Sequence, residues 1–429
     1  MKSLYNIAIW FYALAVRIVA FFNPKVRLMW QGEKMAFAHI ESKLTKGDRI
    51  VWVHAASLGE FEQGRPLIEK LKRENSEYKI LLTFFSPSGY EVRKNYASAD
   101  VIAYLPLDTP RNARRFVELV KPEKVVFVKY EFWLNYLAEL RFSGIETYII
   151  SAIFRPNQVF FKWYGGIFRE GLKAFKMLFV QNEESKELLK GIGVENVMVV
   201  GDTRFDRVAD IAAAAKRLEV VEEFVNAQLP VLVVGSSWGP DEDLLTRYIN
   251  ERAGRMKMII APHEVREERI KELTSKLTCK YALYTQITDN RLQITDKSQL
   301  SLQTPNPSFL TDYDVLVVNT IGVLSSVYQY GQVAYIGGGF GVGIHNTLEA
   351  AAWGMPVVFG PNYHKFQEAK ELIECGAGQS IKNYEECARA LDEFFEKNEV
   401  ASKAAAEYVA SHTGATEIIY NSQFTIHKY

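Results

Sequence analysis

The chain has 429 residues, 48% of them hydrophobic and 13% aromatic, with 51 lysines and arginines against 51 aspartates and glutamates. That length exceeds one ordinary domain and fits two of roughly 200 residues, each apolar enough to bury a core. Zero net charge excludes a protein held to nucleic acid by bulk charge, so any anionic partner must be met by a local cluster.

The first element is Leu4–Phe22, a nearly all-apolar run interrupted only by Asn6 and Arg17. It is close to the roughly 20 residues needed to cross a bilayer. No small-residue cleavage site follows, so it does not read as a removed signal peptide. Lys25, Arg27 and Lys34 come next and would keep the rest of the chain on the cytoplasmic side. Residues 1–30 therefore read as a membrane anchor, with a buried or interfacial edge helix as the alternative; Arg17 can snorkel in either case. Spanning and lying in the membrane both stay open.

Short β-branched runs then alternate with helical patterns. Arg49–Val53, Lys79–Phe84, Lys124–Val128, Glu146–Ile150, Met177–Val180 and Val197–Val200 read as parallel strands covered on both faces, and Glu62–Arg73 as an intervening helix. Asp206–Ala227 reads as one helical connector. The pattern restarts with Pro230–Val234, Lys257–Ala261, Val315–Val318, Val333–Ile336 and Pro356–Phe359, while residues 285–312 read as an exposed polar loop. Two such series imply an α/β protein of two Rossmann-like, doubly wound domains facing across a cleft, with ligands at the strands' carboxyl ends. The expected divisions are 31–215 and 216–429, the last helix being a candidate to pack back on the first domain. Cys279, Cys375 and Cys387 are odd in number and lack metal-type spacing, which points to a reducing compartment and no disulfide framework.

Two segments carry chemistry. His54-Ala-Ala-Ser-Leu-Gly-Glu60 follows a strand and precedes a helix, which places Glu60 either as a general base in the cleft or as the last member of a Ser57–Glu60 capping box. A carboxylate at a helix N-terminus is stabilised in its ionised form. The second segment, Gly337 to Glu349, puts glycine-rich backbone before a helix near Asn346, an arrangement suited to a phosphate. It has neither the dinucleotide glycine spacing nor a Walker lysine. Asn346–Glu349 again has capping-box spacing, and the glycines imply close approach of something to the backbone. Asp241-Glu-Asp243 reads as the acidic first turn of a helix rather than a metal site. Phe154–Lys176 mixes aromatics with five cations and reads either as a surface for anionic headgroups or as an amphipathic helix with its aromatics packed inward.

Together these segments resemble the 3-deoxy-D-manno-octulosonic acid (Kdo) transferase family, GT-B glycosyltransferases of early lipopolysaccharide synthesis. The resemblance runs in order along nearly the whole chain: the anchor, the block ending at Glu60, Lys129-Tyr-Glu131-Phe-Trp-Leu-Asn135, Gln181-Asn-Glu-Glu184, Gly201-Asp-Thr-Arg204-Phe-Asp206, His345–Glu349, and Gly360-Pro361 with Phe366. It implies that Glu60 is the catalytic base and that Glu131 and Arg204 support the transition state. It implies a CMP-sugar site that includes Asn346, Thr347, Leu348 and Glu349, with Pro262-His263 similar to the family's P-R-H and Ile321-Gly322-Val323 to its M-G-E. The chain departs from the pattern where the arginine of P-R-H is missing or replaced by His263, and where Val323 replaces glutamate, Asn319 aspartate and Arg204 lysine; Ser151-Ala-Ile-Phe-Arg155 matches N-A-R only loosely.

The implied reaction is transfer of Kdo from CMP-Kdo to a lipid A precursor, lipid IVA, with inversion, in lipopolysaccharide core biosynthesis. It implies the cytoplasmic face of a bacterial inner membrane, contact with membrane lipids, no cofactor or metal, and no nucleic acid. A GT-B enzyme using a UDP-sugar would show the same paired domains and glycine loop, and donor identity separates the two. A non-catalytic glycolipid-binding relative is the other alternative; it has little physical reason to keep Glu60, Glu131 and Arg204 together.

Overall fold

Runs of Val, Ile and Leu buried on both faces form two parallel sheets of seven strands each. The structure is a computed structural model that describes residues 2–294 and 307–425. It divides into two units, one of Met1–Arg207 with His412–Tyr429, the other of Val208–Ser411.

In the first unit the strands are β1 (Arg49–Ala55), β2 (Tyr78–Phe84), β3 (Val101–Tyr104), β4 (Lys124–Val128), β5 (Glu146–Ala152), β6 (Met177–Val180) and β7 (Val197–Val199). Their order is β3-β2-β1-β4-β5-β6-β7, so the winding reverses between β1 and β4. In an open α/β sheet that reversal leaves a crevice at the strands' carboxyl ends. Trp52 of β1 is fully buried against Phe116, Phe127 and Tyr136 at the heart of the core.

The apolar N-terminal run is α1 (Lys2–Phe22), followed by α2 (Pro24–Lys43). Asn23 caps α2 by accepting from the amides of Lys25 and Val26, with Pro24 in the first helical position. Arg27 donates to the terminal carbonyls of α1, at Ala20 and Phe21, closing the pair into a hairpin. One side of α1 docks on the unit: Tyr5 donates to Asp108 at 2.6 Å, and Asn135 donates to Asn6 at 2.9 Å. The other side exposes Leu4, Ile7, Trp10, Phe11, Ile18 and Phe22. The helix is long and apolar enough to cross a membrane. The helix Ala415–Gln423 returns to this unit, where Asp206 accepts from the amides of Gly414 and Thr416 and Tyr420 donates to Asn75.

The second unit holds β8 (Val231–Ser237), β9 (Lys257–Pro262), β10 (Tyr281–Leu283), β11 (Val315–Val317), β12 (Val333–Ile336), β13 (Val357–Phe359) and β14 (Gly378–Ser380). The order is β10-β11-β9-β8-β12-β13-β14, with the reversal between β8 and β12.

Several sequence expectations need correction. β3, β10 and β14 escape notice because each has only three or four residues and lies outermost or near the edge of its sheet. The connector Asp206–Ala227 is two helices, Arg204–Ala213 and Glu219–Val225, and the unit boundary falls inside the first of them. Tyr284–Ile294 is helical and Pro307–Asp312 is a 3₁₀ helix, so much of the expected loop 285–312 is ordered; residues 295–306 lie outside the described residues. Phe154–Lys176 is not one amphipathic helix. Its Pro156 and paired glycines break it into a 3₁₀ turn at Val159–Phe161 and a short helix at Gly166–Leu172. Phe154, Phe160 and Phe175 pack inward with Phe132, whereas Trp163 and Tyr164 are exposed.

Candidate functional site

In the first unit the turn after β1 leads into α3 (Leu58–Glu74), with Glu60 in its first turn. The expected capping box is not formed. Ser57 is the N-cap, yet its hydroxyl makes no bond to the helix backbone and donates instead to the Glu60 carboxylate. Glu60 is thus oriented by a neighbour's hydroxyl, not used up on helix amides.

Glu131 follows β4, the strand beside β1 across the reversal. Its carboxylate accepts from Trp133 Nε1 at 2.5 Å and lies 3.3 Å from His54 Nε2. His54 is fully buried on β1, and its Nδ1 lies 2.9 Å from Thr83 Oγ1, which also accepts from the indole N–H of buried Trp52 at 2.7 Å. An ionised carboxylate only accepts, so His54 carries a proton on Nε2, facing Glu131, and in the neutral ring Nδ1 accepts from the Thr83 hydroxyl. Sequence reading passed over His54 and Thr83 because nothing in spacing links strands that are neighbours only in the sheet.

Arg204 lies after β7, three strands from β4, but other residues draw it toward α3. Its Nε donates to Asp202 at 2.9 Å, and Asp202 also accepts from Gln63 Nε2 at 3.0 Å. Gln63 is one helical turn beyond Glu60, and Thr203 donates to its carbonyl. Tyr130 senses both ends of the group. Its hydroxyl is pushed above the usual range chiefly by burial; Arg155 pulls it down, and Glu60 and Asp202 push it further up. Lys129 reaches this edge with a left-handed φ of 66°. Glu60 and Asp202, the partner of Arg204, thus both act on the Tyr130 hydroxyl, and Glu131 is its chain neighbour after β4.

In the second unit three flat side chains stack after three strands. His263 lies 4.7 Å from Trp238 and 4.4 Å from His345, nearly parallel to both. The Trp238 indole donates to His345 Nε2 at 3.1 Å, so that nitrogen is an unprotonated acceptor. Burial, with His263 adding to it, lowers the His345 pKa below the usual imidazole value. At Pro262-His263 this chain therefore presents an aromatic face.

The glycine loop after β12 is crowded by its own chain. A Cβ on Gly337 would lie 2.3 Å from the Ser236 carbonyl oxygen, and one on Gly339 would lie 2.6 Å from Gly360 backbone. Close approach is required, as expected, but at these two glycines the approaching group is protein backbone. Asp241 accepts from the amides of Gly338 and Trp238 and from the Tyr335 hydroxyl, each at 2.9 Å. This carboxylate, read from sequence as mere helix decoration, anchors the loop.

The following helix is a single turn, Leu348–Ala351, with Thr347 at its N-cap, so the Asn346–Glu349 capping box is not formed either. Asn346 accepts from the Leu348 amide and donates to Glu349. Thr347 is fully buried, and its hydroxyl has no hydrogen-bond partner among the described residues. Pro262 ends β9 beside His263, which the stack joins to His345 and so to Asn346. Ile321, Gly322 and Val323 follow β11; Ile321 is largely exposed, and Val323 opens the short helix Leu324–Val327 without a side-chain cap.

Residues 31–207 match the model of the 3-deoxy-D-manno-octulosonic-acid transferase (kdotransferase) family. A 3-deoxy-D-manno-octulosonic acid transferase of Aquifex aeolicus is 29% identical over 350 residues, covering 80% of this chain and 85% of the relative. The amino-terminal part of the chain is thus similar to the Kdo transferase family. A Kdo transferase of Bordetella pertussis is 27% identical over 386 residues, covering 85% of each chain. Among solved structures, the UDP-GlcNAc 2-epimerase of Neisseria meningitidis superposes with a TM-score of 0.58 at 16% identity, over 87% of this chain and 99% of its own. At that identity the likeness concerns the fold, and the fold is GT-B. The match of residues 31–207 takes in Glu60, Glu131 and Arg204, all in the first unit.

Proposed function

We propose that this protein is an inverting glycosyltransferase that moves Kdo from CMP-Kdo to a lipid A precursor, lipid IVA, at the cytoplasmic face of the inner membrane in lipopolysaccharide biosynthesis. The observation that carries this reading is that Glu60, Glu131 and Arg204 all follow the carboxyl ends of strands of one sheet, after β1, β4 and β7, in a chain whose relatives are named for Kdo transfer.

The two carboxylates have different surroundings, which separates their roles. Glu131 is held by a tryptophan N–H and a histidine. A carboxylate tied by two donors is a poor proton acceptor and a good fixed negative charge beside a developing cationic sugar. Glu60, held by a serine hydroxyl at a helix start, takes the proton from the acceptor hydroxyl as it attacks the anomeric carbon opposite CMP. Arg204, fixed by Asp202, supplies positive charge for an anionic substrate group. CMP is a good leaving group, so the scheme uses neither a general acid nor a metal. Pro262, His263 and Ile321–Val323, with Asn346–Glu349 and the orphan hydroxyl of Thr347, form the donor side. Glu349 meets ribose hydroxyls, and the Trp238–His263–His345 stack meets the base.

For α1 we propose an interfacial position. Its Tyr5 and Asn6 are bonded to Asp108 and Asn135, and a perpendicular span would strip those bonds away. The exposed stripe then enters the headgroup boundary sideways, close to a lipid acceptor.

The test is to incubate purified, membrane-bound protein with CMP-Kdo and lipid IVA, following CMP release and glycolipid mass, beside Glu60→Ala. Wild type should add at least one Kdo, and the folded variant should lose about 10²–10⁴-fold in rate. Turnover of a UDP-sugar and not of CMP-Kdo would overturn the donor. An equally active variant would leave Glu60 without the role of base.

A further inference from the structure

α1 and α2 enclose a cavity of about 360 Å³ against the loop that follows β3, lined by Tyr12, Ala13, Arg17, Trp30, Glu33 and Lys34 among others. That volume falls within the range of small-ligand sites, about 300–1,000 Å³. Neither Arg17 nor Lys34 forms an ion pair with a described residue; the Lys34 ammonium instead sits 3.4 Å above the Trp30 ring. The carboxyl of Glu33, in the same wall, is pushed up to about 8 by burial. Near neutral pH it therefore carries a proton and adds no negative charge to the cavity wall. Arg17 lies in the last third of the apolar, outward-facing α1, five residues from its end, where its guanidinium can reach the level of lipid phosphates.

We propose that this cavity binds the phosphate headgroup of an anionic membrane phospholipid, with Arg17 and Lys34 as its ligands. The occupant is a lipid rather than a soluble anion because the site opens beside the exposed stripe of Leu14, Ile18 and Phe21, which would carry acyl chains. Tyr12 and Trp30 are side chains of the kind that settle at the headgroup level. The protonated Glu33 and Asn112, which also line the site, add hydrogen-bond donors for phosphate oxygens. The inference rests on the membrane contact proposed for α1 and not on the choice of sugar donor.

The experiment measures binding of the full chain to phosphatidylcholine vesicles with and without phosphatidylglycerol, for wild type, Arg17→Gln with Lys34→Gln, Ala13→Phe, and a control pair, Lys43→Gln with Lys46→Gln. Wild type should prefer the anionic vesicles, and the Arg17/Lys34 variant should lose roughly fivefold of that preference per charge, equivalent to about 1 kcal/mol. Ala13→Phe fills the cavity and keeps both charges, so it should lose the preference as well, while the control pair should keep it. Binding to neutral vesicles should stay unchanged in every variant. Wild-type preference in Ala13→Phe, or an equal loss in the control pair, would replace the site with diffuse surface charge. Competition by millimolar inorganic phosphate would make it a soluble-anion site. Absence of binding to any vesicle would remove the membrane contact itself, and this inference with it.

Discussion

Asp241 offers a test of how the glycine loop is held. The side chain is almost fully buried, and it accepts three hydrogen bonds: from the Gly338 and Trp238 amides on Oδ2 and from the Tyr335 hydroxyl on Oδ1. Burial raises its pKa and the three bonds lower it only in part, so the negative charge itself is held at a net penalty. What the loop needs is the pair of acceptor atoms. In Asp241→Asn the amide oxygen can stay on the two backbone N–H groups while the NH₂ turns to Tyr335, whose hydroxyl rotates to accept. That exchange strands one buried donor, the Tyr335 O–H, and should cost about 1–3 kcal/mol. Asp241→Ala strands three buried donors at about 1–3 kcal/mol each, a loss of roughly 3–6 kcal/mol after partial relaxation. Urea midpoints measure the difference, and hydrogen exchange at the Gly338 and Trp238 amides localises it. Those two amides should lose protection in the alanine variant and keep it in the asparagine variant. An asparagine variant as damaged as the alanine one would refute the reasoning and make the charge itself the anchor.

Three further outcomes follow from geometry. His54→Phe keeps the ring volume but deprives Glu131 and Thr83 of a partner, so kcat should fall about 10²-fold while the donor's Kd stays put; unchanged turnover would remove Glu131 from the site. Gly339→Ala places a methyl 2.6 Å from Gly360 backbone and should destabilise by at least about 1–3 kcal/mol, whereas Gly341→Ala, whose nearest contact would be 3.5 Å, should be near neutral; thermal unfolding that ranks the two alike would contradict the packing. His345 has a folded-state pKa below its unfolded one, so its contribution is present above the unfolded value near 6.5 and is lost as pH falls through the folded value. Stability of wild type should therefore drop on acidification below about pH 6.5, and His345→Gln should flatten that drop in a pH series of urea midpoints.

Much of this fold could be read from residues because fully buried parallel strands leave an unmistakable trace. β4, β6 and β12 each hold a run of four apolar residues, β4 after Lys124, and their ends match the expected ones to the residue. β14, Gly-Gln-Ser, has no such trace, since its place comes from pairing with β13 and not from its own side chains. Glu60, Glu131 and Arg204 were legible through a motif. What fixes them was not: His54 and Thr83 meet across strands, and Gln63 and Asp202 are 139 residues apart. Both capping-box readings failed for one reason. Spacing shows that a carboxylate can reach back to a cap, but not that a neighbouring Ser57 hydroxyl or Asn346 amide will claim it first.

The return of the helix Ala415–Gln423 to the first unit makes that unit discontinuous and the second an insertion within it. Val208–Ser411 is synthesised before Ala415–Gln423, so α3 lacks one of its covering elements until the whole of the second unit has been made. Until then Asp206 lacks the two amides it accepts from, and Asn75 lacks Tyr420. Stop codons or fusions placed near residue 412 should therefore injure the amino-terminal unit, more than 200 residues upstream in the message, while leaving the adjacent unit intact.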